Sequence, residues 1–156
     1  MATGTQRLPK QILCAVRGSP ESRATVTYAI DLALESGARL TFFHALDAEF
    51  LGYATVGPLS VVYRELREMG EFTMLILVDR AQRRGVANVD FAFSEGNVKE
   101  QLRLAAIRTE AEIMVMGRPT RSPGANVFKL SEIEDFAAEL AEEGGLTLRL
   151  VPPDAS

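Results

Sequence analysis

Apolar runs alternate with amphipathic stretches from one end of this chain to the other. Ile12-Leu13-Cys14-Ala15-Val16 predicts a buried strand over 11–16. In Gly18-Ser19-Pro20-Glu21, Ser19 suits a helix N-cap and Pro20 the first helical position. That helix runs to about Ser36, where Gly37 ends it. Residues 39–45 are aromatic and β-branched and predict a second strand, followed by a longer loop over 46–57. Pro58 opens a long helix reaching Arg84. Leu59, Val62, Tyr63, Leu66, Met69, Thr73, Ile76, Leu77 and Ala81 recur there at steps of three and four. Residues 74–78 also read as a short strand, but the periodicity on both sides favours helix. Gly85 breaks it, and 89–93 alternate as a third strand. A helix over 97–109 turns Val98, Leu102 and Ala105 inward. A fourth strand follows at 112–117, then a helix over 131–143 ending at Gly144-Gly145. A fifth strand, 146–151, is closed by Pro152-Pro153. Strands and helices in alternation imply an α/β fold, a doubly wound five-stranded mostly parallel sheet.

Length and composition narrow the class. The 156 residues suit one domain, taken as 10–152 with short tails at 1–9 and 153–156. With 47% hydrophobic and 24% charged residues, the chain has the balance of a soluble globular protein. A net charge of −4 argues against a nucleic-acid partner, which needs a basic face. No apolar run is long enough for a membrane span and no secretory signal is visible, so a cytoplasmic location is expected. The one cysteine, Cys14, lies in an apolar run and reads as a small buried hydrophobe.

The last strand sets Leu146, Leu148 and Leu150 against Thr147, Arg149 and Val151, the alternation of an edge strand with one exposed face. Pairing of 146–151 with the same strand of a second copy would protect that edge, so a homodimer is expected. The alternative is an edge guarded by Arg149 and the two prolines alone.

Candidate chemistry concentrates after the fourth strand. Ile113 to Ser122 reads as a strand running into a polar turn, and Leu130-Ser131-Glu132-Ile133-Glu134 as a helix start. Strand, loop and helix N-terminus together make an architecture that binds phosphates. Here the loop lacks the usual glycines, and Glu132, Glu134 and Asp135 crowd the helix start. Ser131 with Glu134 also fits a capping box, which would use two of the N–H donors.

The chain resembles the universal stress protein family. Val16-Arg17-Gly18-Ser19-Pro20, Ala33 to Leu40, His44, Gly96 and Ala111 to Gly117 carry the resemblance, in order, over about residues 10–152. It implies a five-stranded parallel sheet with helices on both faces, the fold of the adenine-nucleotide α-hydrolases. It also implies frequent dimerisation and, in one branch, ATP bound at the ends of strands one and four. That branch resembles Gly-x2-Gly-x9-Gly-[Ser/Thr]. Counted from Gly117, the second glycine falls at Thr120, the third at Leu130, and the hydroxyl at Ser131. The aspartate usual after strand one is Arg17. Side chains at 120 and 130 hinder the close backbone approach glycine permits, so ordinary ATP binding is not expected.

The candidate ligand residues are therefore Val16, Arg17, His44, Gly117, Arg118, Thr120, Arg121 and Ser131. Arg17, Arg118, Arg121 and Lys129 could form a compact anion site, or could simply pair with the acids at the helix start. His44 is the only histidine and has no metal-ligand partners at suitable spacing; it lines the pocket or is simply packed. Ser19, Ser22, Ser94, Ser122 and Ser131 lack a nucleophile elbow, and no acid–base dyad stands out. The expected function is a non-catalytic signalling or interaction protein without a cofactor. A small-ligand sensor, with ATP or AMP as the nucleotides to consider, is the alternative, and weak nucleotide hydrolysis is the least favoured reading.

Overall fold

The computed structural model describes residues 8–16, 22–47, 58–118 and 130–152. Nine elements follow in order: β1 (Gln11–Ala15), α1 (Ser22–Ser36), β2 (Arg39–Asp47), α2 (Pro58–Arg84), β3 (Val89–Gly96), α3 (Val98–Thr109), β4 (Ile113–Gly117), α4 (Leu130–Gly144) and β5 (Thr147–Val151). The strands form one sheet in the order β3-β2-β1-β4-β5, and all four neighbouring pairs are parallel. The chain builds from β1 to one edge, then returns to the other side of β1. The switch therefore falls between β1 and β4, and ligands in such sheets bind outside the carboxyl ends there.

Helices cover both faces. On one, Val26, Ala29, Ile30 and Ala33 of α1 and Met74, Leu77 and Ala81 of α2 pack on Ile12, Cys14, Leu40, Phe42, Ile113 and Val115. On the other, Leu102, Ala105 and Ala106 of α3 and Ile133, Phe136 and Leu140 of α4 cover Leu13, Phe43, Met114 and Met116. This explains why β1 reads as a continuous apolar run: alternate residues enter different cores, and both are dry. Each large side chain so buried stabilises the fold by roughly 1.5–3 kcal/mol.

The helix stops are local chemistry. Gly37 (φ 74) and Gly85 (φ 110) take backbone conformations that a Cβ would strain, ending α1 and α2. The side chain of Asn97 caps α3, accepting the Glu100 N–H at 3.0 Å.

Several expectations are corrected. β2 continues through Asp47 and β3 through Gly96, because the two strands pair over the whole of Leu40–Asp47 with Val89–Gly96. Residues 46 and 47 are thus strand rather than loop, and 48–57 lie outside the described residues, as do Ser19 and Pro20. α2 spans the expected range, but Met69 and Ile76 face solvent while Met74 takes the inward position. α4 begins at Leu130, so Ser131 is already helical and is not the cap; a cap residue needs non-helical dihedrals. Only Glu132 of the three acids falls in its first turn. In β5 the alternation breaks at the end: Leu150 is exposed, and Val151 is buried in the core on the face that α1 covers.

Candidate functional site

The carboxyl ends of β1 and β4 lie side by side. Cys14 pairs with Val115, so Val16 and Gly117, each two residues further on, stand at the same level. Val16 is held from β2 by both backbone groups. Its N–H donates to Phe43 O at 2.9 Å, and its carbonyl lies 2.8 Å from Nδ1 of His44. A carbonyl can only accept, so Nδ1 carries the proton, and Nε2 is the acceptor of the neutral ring.

His44 is the start of a stack. Its ring meets Phe93 of β3 with centroids 5.3 Å apart and planes tilted by 44°. The Arg67 guanidinium of α2 lies over the Phe93 ring at 5.9 Å and pairs with Glu95 at 3.0 Å. Gly70 lets α2 approach this stack. A Cβ there would stand 2.8 Å from Phe93 Cε2 and 3.5 Å from His44 Cδ2. Gly117 plays a similar part for α1, since its Cβ would be 3.2 Å from the Thr25 hydroxyl. Thr25 is buried.

Of the eight expected residues, Val16 and His44 are in direct contact, and Gly117 closes the neighbouring strand. Arg118 follows Gly117, is exposed, and donates its N–H to Val151 O at 2.8 Å, while its side chain makes no ion pair among the described residues. Arg17, Thr120 and Arg121 lie outside the described residues. Ser131 sits in the first turn of α4. Glu132 is half-buried, and Glu134 and Asp135 are exposed.

Sequence reasoning missed Thr25, Arg67, Gly70 and Phe93. A lone glycine inside a helical pattern was the available signal, because it marks a close approach. Ser94, opposite Ala45 on the sheet face that α3 and α4 cover, has a buried hydroxyl without a hydrogen-bond partner among the described residues. Among the described residues, no three His, Cys, Asp or Glu side chains gather at metal-binding distance, and no helix is long and apolar enough to cross a membrane. A cavity of about 330 Å³ opens at the opposite, amino-terminal edge of the sheet, lined by Arg103, Ile107, Glu110, Glu112, Leu140 and Leu146 among others.

This strand order, with a switch point between β1 and β4, defines a doubly wound α/β domain, and the edge just described lies at that switch point. The universal stress protein family model matches residues 9–135, and the chain belongs to that family. Solved structures agree in fold. Universal stress protein UspA from Lactobacillus plantarum superposes with a TM-score of 0.71 at 19% identity, over 94% of this chain and 99% of that one. A universal stress protein in complex with cAMP gives 0.66 at 18%, over 94% and 99%. The Archaeoglobus fulgidus protein in complex with dAMP gives 0.59 at 12%, over 92% and 98%. No curated protein sequence matches significantly.

Proposed function

We propose that this protein is a non-catalytic, cytoplasmic member of its family that acts through association and does not take ATP in the usual way. The observation that carries this reading is Glu132 in the first turn of α4. Its carboxylate already complements the helix N-terminus to which a triphosphate would be drawn. The replacement of glycine by Thr120 and Leu130 points the same way. The open edge of β5 supports a homodimer, with Leu150 exposed beside Arg149.

A second reading, a sensor of a nucleoside monophosphate or another small anion, is favoured by the cAMP and dAMP complexes of two fold relatives. In that reading Arg118 faces the anion and Nε2 of His44 lines the pocket beside Val16. A thermal-melting screen with ATP, ADP, AMP, cAMP and simple anions separates the two. The first reading expects no shift with any of them. A shift with AMP or cAMP that Arg118→Ala removes favours the second. A shift with ATP and turnover of it would overturn both.

A further inference from the structure

Half of the large apolar side chains found exposed among the described residues belong to one helix, α2: Val61, Met69, Phe72, Leu75 and Ile76. Four of them stand on adjacent turns, with relative exposures of 64% for Met69, 65% for Phe72, 55% for Leu75 and 44% for Ile76. Steps of three, three and four from Met69 through Phe72 to Leu75 and Ile76 place them in one stripe. The stripe lies opposite Met74, Leu77 and Ala81, which face the sheet. α2 is therefore apolar on two faces, and a surface helix needs only one. A contiguous apolar stripe of this kind marks an interaction surface.

The charges that flank the stripe identify what fits it. Glu65 stands four residues before Met69, and Arg80 stands four residues after Ile76. Neither makes an ion pair among the described residues, whereas Arg67, Asp79, Arg83 and Arg84 are already paired. Met69 and Ile76 are equidistant from the gap between Phe72 and Thr73, and so are Glu65 and Arg80. All four lie on the same flank of the helix. A two-fold axis through that gap sets two α2 helices antiparallel. It brings Met69 against Ile76 of a second copy, Phe72 against Phe72 near the axis, and Glu65 against Arg80 at each end. Self-complementarity of this form is what an isologous contact requires, because one patch must satisfy both sides.

We infer that the outer face of α2 is a homotypic docking surface, occupied by α2 of a second copy of this chain in antiparallel register. It is separate from the β5 edge, since α2 packs over β2 and β3 at the other side of the sheet. A chain bearing both contacts assembles beyond a dimer.

Sedimentation equilibrium of the full chain tests this, run in a Leu150→Lys background so that β5 pairing is not mistaken for the α2 contact. The expected result is concentration-dependent dimerisation that Phe72→Glu weakens roughly tenfold or more. Glu65→Arg weakens it as well, and Glu65→Arg with Arg80→Glu restores it. Circular dichroism melting confirms that each variant is folded. Should Phe72→Glu not fold, the charge-swap pair decides alone. A Leu150→Lys protein that stays monomeric at all concentrations overturns the inference, and so does dimerisation indifferent to Phe72→Glu. A double swap as weak as the single change overturns the antiparallel register. Failure of β5 pairing is read separately, as an unchanged mass on introducing Leu150→Lys into the wild-type chain.

Discussion

Nδ1 of His44 on β2 lies 2.8 Å from the carbonyl oxygen of Val16 at the end of β1. This one bond fixes the imidazole tautomer and ties two neighbouring strands at the carboxyl edge of the sheet. His44→Ala leaves the carbonyl without its donor and removes the contact with Phe93. The expected cost is about 1–3 kcal/mol, the penalty of an unpaired buried polar group. Urea denaturation measures it, and a change of a few tenths would mean that water replaces the ring without loss.

Gly70 and Phe93 form a pair whose coupling changes sign. Alanine is the better helix former by about 1 kcal/mol, yet a Cβ at 70 meets the Phe93 ring at 2.8 Å. Gly70→Ala is therefore expected to destabilise the wild-type chain. In a Phe93→Ala background the same substitution gains stability, by roughly the helix-propensity difference of about 1 kcal/mol. A double-mutant cycle of melting curves reads the reversal. Equal effects in both backgrounds would show that the helix does not rest on the ring.

On α3, Glu100 accepts hydrogen bonds from Arg103, which also reaches Glu143 of α4 at 2.7 Å. The hydrogen bond from Arg103 is the main cause that holds the Glu100 carboxyl below its ordinary range; desolvation opposes it, and the charge of Arg103 adds a lesser lowering. A carboxyl lowered on folding contributes stability above its unfolded pKa, and loses it as pH falls through the lower folded value. Glu100→Gln is thus less stable than wild type near neutrality, and the gap closes in acid. A gap that persists at the lowest pH at which the protein stays folded would assign the effect to packing instead.

Cys14 is fully buried, and burial pushes its thiol well above the ordinary range. The folded chain should resist alkylation until it unfolds. The sign of its pH dependence is opposite to that of Glu100. Above about 8.5 the unfolded thiol loses its proton while the folded one keeps it, so stability falls as pH rises. Cys14→Ala is expected to flatten that alkaline slope, whatever its cost in packing. Rapid modification under native conditions would contradict the buried position.

The order of elements was legible because each carries a local signal that agrees with the next. Gly37 and Gly85 stop their helices as read from the chain. Pro58 and Arg84 bound α2 at both ends, and the runs read at 11–16 and 112–117 hold strands over 11–15 and 113–117, buried on both faces. Which side of α2 faces inward was not legible. Met69, Phe72, Leu75 and Ile76 repeat with the same period as Met74, Leu77 and Ala81. Period alone does not choose between two apolar faces; packing on β2 and β3 does. Strand lengths were short by two or three residues in β2 and β3, because the pairing of Leu46 with Glu95 and Asp47 with Gly96 is a property of two strands together. Of the residues named from the chain, Val16 and His44 lie in contact and Gly117 stands at the same level of β4. Phe93 and Thr25 were missed, since a partner from a distant element leaves no mark on its own segment. The helix start at 130–134 was legible, but the Ser-x-x-Glu spacing suggested Ser131 as its cap, whereas α4 already begins at Leu130.

Isothermal titration of the purified full chain with MgATP tests the central claim most directly. With Glu132 at the mouth of α4 and no glycine at 120 or 130, the account predicts no saturable heat at millimolar nucleotide. A stoichiometric isotherm in the micromolar range would contradict it.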